Sequence, residues 1–415
     1  MKHRRTNSCW ALPAQLLVWG LLVRLATSPA VFAAEGSWLT AKGNDLVDPQ
    51  GHAVVLRGVS LGGWLVEEMW MQPIATSPPS GSGLPAVQDH VSLWHVVQQR
   101  LGEGAMRRVR TAFREAWINE SDFERLHRAG FNSARLPFLY DLLDEPEGLA
   151  WLDRALEWAG KRGMYVILDL HGAPGGQSSD HHTGQANQNR FFKDPRHIEH
   201  AERVWQTVAR RYSDRAEVAA FDILNEPMGA PDLPTLYLVQ DRLYRAIRQV
   251  DRKHAIIIED GYTGLDHMPV PEVAGWTNVV MSCHHYVFKA SSEHQQREGA
   301  RGHIDYMGRN QEKLRCPLFL GEFNQEPHGT PQSIAAFTRD LEKHGWSWSL
   351  WTYKAMSARG TRSMWSIYRN PQAVDPLDPY HDSEQQLIKK CQQMLTERLE
   401  PYPGLLEALG RNERR

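Results

Sequence analysis

Apolar and polar positions along this chain alternate between two kinds of stretch. Eight short runs are rich in Val, Ile, Leu and Phe: 54–62, 131–138, 165–171, 219–227, 255–260, 279–286, 317–324 and 347–354. Several are continuous rather than alternating, which is the pattern of strands covered on both faces. Between them lie stretches with helical spacing, at 149–158, 198–212, 236–250 and 334–341. Ser121-Asp122-Phe123-Glu124 reads as a capping box that opens a further helix, closed at Gly130 just before the second strand. Strand and helix in alternation until eight strands are used is the sequence form of an α/β fold, a (β/α)₈ TIM barrel in a single domain. A doubly wound sheet would need a phosphate-type glycine loop after the first strand, and Leu61-Gly62-Gly63-Trp64 does not fit one.

Such a barrel keeps its chemistry at the carboxyl ends of its strands. Two runs end in a glutamate, Glu226 after Asn225 and Glu322 after Gly321. Retaining cleavage of a glycosidic bond uses one carboxylic acid and one carboxylate roughly 5 Å apart. The other strand ends offer Glu67 and Glu68, Arg135, His171, then His284, His285 and Tyr286, and finally Trp351 with Lys354. Singly each has a structural explanation; stability alone has no need to gather them on one face.

Composition narrows the classes further. The 415 residues carry a formal net charge of −2, which points to neither nucleic acid nor an acidic membrane as partner. The 15 tryptophans fill a core or line a groove for sugar rings, and their number alone does not choose. The histidines raise the question of a metal. With no HExxH helix and no His-x-His pair on the first strand, neither a metal nor any other cofactor is expected. No Gly-x-Ser-x-Gly elbow is present for a serine nucleophile.

The first residues read as an address. A basic start at Lys2–Arg5, a short apolar run at 16–23 and small residues at 30–34 form an export signal over 1–34. The catalytic domain then spans 35–415, in a secreted or periplasmic protein with no stable membrane insertion after cleavage. An uncleaved anchor is the alternative. Cys283 and Cys316 stand near neighbouring strand ends, and a pair or two free thiols both remain open. The segment 73–85, rich in Pro, Ser and Gly, reads as an exposed loop over the barrel mouth.

The stretch Arg57-Gly58-Val59-Ser60-Leu61-Gly62-Gly63-Trp64-Leu65-Val66 resembles the opening strand of glycoside hydrolase family 5, most closely its exo-β-1,3-glucanase branch. Arg135-Leu136-Pro137, the segment Leu170–Gln177, Leu224-Asn225-Glu226-Pro227, His284-His285-Tyr286 and Gly321-Glu322-Phe323 follow in the order of that family's motifs. The resemblance implies a retaining mechanism with Glu226 as acid/base and Glu322 as nucleophile. It implies that Arg135 supports the nucleophile and Asn225 bonds the sugar 2-hydroxyl. His171, His284 and Tyr286 would shape the reacting subsite over a Trp351 floor, and Glu68 would contact the terminal sugar. A charged Arg135 beside Glu322 should keep that carboxylate ionised, while the acid starts protonated. The expected partner is a β-linked oligo- or polysaccharide, with exo action on β-1,3-linked glucose. An endo-β-glucanase or mannanase, a glycolipid-cleaving relative and a non-catalytic carbohydrate-binding barrel are the alternatives.

Overall fold

The computed structural model describes residues 38–410; the segment 1–34, expected as an export signal, lies outside them. Eight parallel strands close into a barrel: β1 (Arg57–Ser60), β2 (Ser133–Leu139), β3 (Tyr165–Gly172), β4 (Val218–Asp222), β5 (Ala255–Glu259), β6 (Val279–His285), β7 (Leu318–Phe323) and β8 (Ser347–Leu350). Every expected strand is found. Closure is made by β8 pairing with β1, Trp348 opposite Arg57 and Leu350 opposite Val59. Nearly all strand residues are buried, because helices cover the outer face while side chains fill the inner one.

The four amphipathic stretches form helices at Gly148–Gly160, Pro195–Tyr212, Leu233–Arg248 and Pro331–Lys343. Three of them start on a capping side chain, Asp194, Asp232 or Thr330, with a proline in the first turn. The capping box before β2 sits two residues earlier than its sequence suggests. Asn119 and Asp122 make it, and the helix is Glu120–Arg128. Asp122 carries the carboxylate that reaches back to the Asn119 backbone, a role Glu124 cannot take while it bonds Arg128 and Arg162.

Two additions frame the barrel. A short hairpin, Thr40–Lys42 with Asp45–Val47, brings Leu39 and Leu46 into one apolar cluster with Tyr165, Ile167, Ala255, Ile257 and Phe319. These are strand-start residues, so the hairpin caps the amino-terminal end of the barrel. At the other end, Lys354–Ala355, Tyr368–Arg369 and Glu400–Pro401 form a small sheet that ties the carboxyl-terminal segment to the loop after β8. The 73–85 segment is exposed beyond Ile74 and is held by the tail: the Tyr380 hydroxyl bonds Val87, Thr76 and Pro85. Cys283, Cys316 and Cys391 are buried free thiols. Among the described residues no helix is long and apolar enough to cross a membrane.

Candidate active site

At the carboxyl ends of the strands lies a cavity of about 510 Å³, and Glu68, His171, Asn225, Glu226, Tyr286, Glu322 and Trp351 all line it. Arg135 and His284 stand beneath, each bonded to a lining carboxylate. The nine residues expected at the site are therefore one constellation.

Glu322 is carried on β7, one residue before the strand ends. Its Oε1 accepts from Arg135 Nη1 at 2.7 Å and its Oε2 from the Tyr286 hydroxyl at 2.9 Å. Gly321 makes room for the neighbouring strand: a Cβ there would stand 2.8 Å from His284 Nε2. Glu226 is held differently. It follows β4 by four residues, at φ +40°, a left-handed conformation uncommon outside glycine. Its backbone N–H donates to Glu259 Oε2 at 2.7 Å, which pins the turn. Its Oε1 lies 2.7 Å from His284 Nδ1 and accepts from the Tyr262 hydroxyl at 2.9 Å. Oxygens of Glu226 and Glu322 approach within 4.8 Å of one another, the spacing of the retaining arrangement.

Arg135 is fully buried and serves four carboxylates. Besides Glu322, it bonds Asp222 at 2.9 Å and Glu259 at 3.1 Å, and stands 3.1 Å from Asp169; Nη2 also donates to Asn225 Oδ1 at 2.8 Å. Asp169, Asp222 and Glu259 group as three carboxylates could around a metal, but the guanidinium already occupies their midst. One cation shared four ways does not depress Glu322 as expected. Burial and the nearby Glu226 outweigh the pull of His284 and Arg135, and the Glu322 carboxyl sits above its usual range. Burial also opposes ionisation of Glu226. There the His284 hydrogen bond, the His182 charge and the Tyr262 hydroxyl prevail, and its carboxyl falls below its usual range. The order of the two acids is thus the reverse of the expected one.

The remaining groups define a wall and a floor. Trp351 lies parallel to His171, ring centres 5.5 Å apart, and His171 Nδ1 is 2.7 Å from Asp169 Oδ2. Gly62 permits this packing, since a Cβ would come within 3.0 Å of the Trp351 ring. Glu68 Oε2 accepts from Trp70 Nε1 at 2.8 Å and lies 3.1 Å from His181 Nε2. Its Oε1 and the Asn225 Nδ2 are buried without a protein partner.

Three strand-end candidates do not reach the cavity. Glu67 turns away to His90. His285 stacks on His303 at 4.2 Å, outside the site. Lys354 is buried, and its amine bonds the carbonyls of Trp117 and Met394, where it satisfies a helix end; burial lowers it to about 8. Nor does any residue of 73–85 line the cavity. Conversely, Asp169, Asp222, Glu259 and Tyr262 belong to the site and were not singled out. Asp169 was legible as a carboxylate inside a mostly apolar strand, and Asp222 and Glu259 as carboxylates that close two more. Tyr262 left no such signal.

The cellulase model, glycosyl hydrolase family 5, matches residues 99–357. The chain belongs to that family. It is thus a glycoside hydrolase of a retaining family, and a carbohydrate is its substrate. It is 29% identical over 361 residues to a β-xylosidase of Phanerodontia chrysosporium, covering 78% of this chain and 72% of the relative. It is 34% identical over 250 residues to a glucan 1,3-β-glucosidase of Candida oleophila, covering 56% of this chain and 58% of that one. The chain therefore spans little more than half of the latter relative. Among solved structures it superposes on the rutinosidase from Aspergillus niger with TM-score 0.58 and 17% identity, over 81% of this chain and 98% of that one. An endogalactoceramidase structure gives TM-score 0.58 at 18% identity, over 86% and 84%. Both likenesses establish the (β/α)₈ fold.

Proposed function

We propose that this enzyme removes single glucose units from the non-reducing ends of β-1,3-linked glucan, with Glu322 as nucleophile and Glu226 as acid/base. The observation that carries the exo reading is Glu68. A buried carboxylate oxygen with no protein partner, in a cavity wall, awaits hydroxyl donors of a terminal sugar. The glucan 1,3-β-glucosidase relatives support the linkage.

In the first step Glu322 attacks C1 and the C1–O bond breaks, while a proton passes to the departing oxygen from Glu226. With its carboxyl held low, Glu226 must receive that proton when the sugar binds. A sugar ring over the cavity excludes water, which penalises the Glu226 anion and the His284 cation together. The proton shared along their 2.7 Å line then moves to the carboxyl. Asn225 Nδ2 meets the 2-hydroxyl, and Trp351 supplies the floor beneath the ring. In the second step Glu226 takes a proton from water, which attacks C1 and frees Glu322.

Product profiling on laminari-oligosaccharides tests the reading: glucose from the earliest time points supports it, and early oligosaccharides overturn exo action. Glu68→Gln should raise KM for these substrates without loss of folding; unchanged kinetics would remove Glu68 from the role. We propose with this an exported enzyme, for which N-terminal sequencing should begin near Glu35.

A further inference from the structure

Two neighbouring histidines on one short turn reach two different carboxylates of the cavity. The turn is His181–Thr183, after β3. It is tied to itself: Thr183 Oγ1 donates to the Asp180 carbonyl at 2.9 Å, and the Gly184 N–H to that of His181 at 3.0 Å. His181 Nε2 lies 3.1 Å from Glu68 Oε2. His182 lines the cavity, and its Nδ1 stands 3.4 Å from Glu226 Oε2. That is the less occupied oxygen, because His284 and Tyr262 both bond Oε1. The proton path through His284 leaves His182 unused.

The far nitrogen of His182 decides what the near one can do. Nε2 is 3.2 Å from Ser178 Oγ, and that hydroxyl already accepts the Asp180 N–H at 3.2 Å. Its own hydrogen then has one partner among the described residues, and Nε2 accepts it. Burial, with His171 beside the ring, holds His182 below the ordinary histidine range against the pull of Glu226, Glu68 and Asp180. The ring is thus uncharged near neutral pH. It becomes charged only in acid, where Glu226 itself titrates. A neutral imidazole that accepts at Nε2 carries its hydrogen on Nδ1. An N–H donor therefore stands in the cavity lining, beside the acid/base carboxyl.

At 3.4 Å this N–H is too far from Oε2 for a strong bond. It is close enough that an oxygen taking the Glu226 proton comes within its reach. We propose that His182 is a further catalytic residue, whose Nδ1–H donates to the oxygen leaving C1 and then to the oxygen of the attacking water. In the first step the C1–O bond breaks and Glu226 gives its proton to the departing oxygen. The His182 hydrogen bond offsets the charge that builds there before the proton arrives. In the second step water accepts from His182 on one lone pair, attacks C1 with the other, and gives a proton to Glu226. His182 itself neither gains nor loses a proton. This inference rests on the acid/base role proposed for Glu226.

The test is a leaving-group series on the whole enzyme: methyl, phenyl, nitrophenyl and dinitrophenyl β-glucoside. Dinitrophenolate departs without help, and the others need progressively more. In His182→Leu, kcat/KM should fall about tenfold or more for the methyl and phenyl glucosides, and by no more than about twofold for the dinitrophenyl one. His182→Asn keeps an N–H close to the place of Nδ1 and should recover most of that loss. A residue that only shapes the pocket or holds the sugar lowers every substrate alike, so an equal loss across the series, or none, overturns the proposal. A gradient that Asn does not flatten overturns it too, since displacement of Glu226 would then explain it. Either result leaves the roles of the two glutamates standing. If Glu226→Ala shows no gradient in the same series, the acid/base reading fails and this inference falls with it.

Discussion

The two glutamates of the cavity are held by opposite means. Glu322 is part of a strand ladder, with one donor on each oxygen and Gly321 behind it. Glu226 stands on a left-handed turn outside the ladder, with both of its hydrogen bonds on one oxygen and His182 3.4 Å from the other. A group that must form one bond at one point gains from rigidity. A group that must give and later take a proton gains from a partner able to share it, and His284 is that partner.

Exchanging the two carboxylates for alanine gives the largest contrast. Glu322→Ala should lose on the order of 10⁵-fold or more in kcat on every glycoside, activated or not. Glu226→Ala should lose roughly 10²- to 10⁴-fold with an unactivated leaving group yet still react with a dinitrophenyl glycoside. Azide should then rescue it and yield a β-configured glycosyl azide, read by NMR. The same rescue in Glu322→Ala, or an α-configured first product from wild type, would reverse the assignment.

Removing the cation beneath Glu322 should cost stability as well as activity. Arg135→Met leaves Asp169, Asp222, Glu259 and Glu322 without their common partner, and breaking a buried pair of this kind costs about 3–5 kcal/mol. Chemical denaturation at neutral pH should show that loss. Acidification should relieve part of it, because the stranded carboxyls then take up protons. A variant as stable as wild type at pH 7 would mean the four acids are already largely neutral.

Tyr262→Phe gives the smallest and most specific effect. The phenol donates to Glu226 Oε1 and is one of the groups holding that carboxyl low. Without it the carboxylate competes better for the proton it shares with His284, so the pair keeps that proton to higher pH. The alkaline limb of kcat/KM should shift upward by about one pH unit, the worth of one hydrogen bond to a charged group. His182, His284 and Glu322 also face this carboxyl and stay in place. An unmoved limb would show that Tyr262 only shapes the rim.

What sequence showed and what it hid follow from the range of the interactions. Burial on both faces writes a continuous apolar run, which is why every strand of the barrel was legible. The strand over 219–227 ends early, at Asp222, because Glu226 turns left-handed just before Pro227. The hairpin at Thr40–Val47 has strands of three residues, too short to show a period. The helix Glu293–Leu314 buries few apolar residues, Ala300, Met307 and Leu314 among them, and so leaves a weak stripe. Lys354 was misread because strand order says which end of the barrel a residue is near, not which way it points. Tyr262 was missed because a left-handed residue in a loop is set by its surroundings, here the Asp260 carboxylate that accepts its N–H at 3.0 Å.

The hairpin beneath the barrel has a consequence for how the site handles acid. Leu39 and Leu46 pack with Tyr165, Ile167 and Ile257 under the carboxylates gathered on Arg135. That apolar seal leaves the cavity mouth as the route by which protons reach the cluster. A bound ring then acts as a stopper, and the number of protons in the chamber is fixed until the first bond breaks. Solution pH is sampled before the sugar binds and again once the leaving group has gone. The pH dependence of kcat, measured with substrate saturating, should therefore be flatter than that of kcat/KM; equally steep profiles would indicate a leak from below.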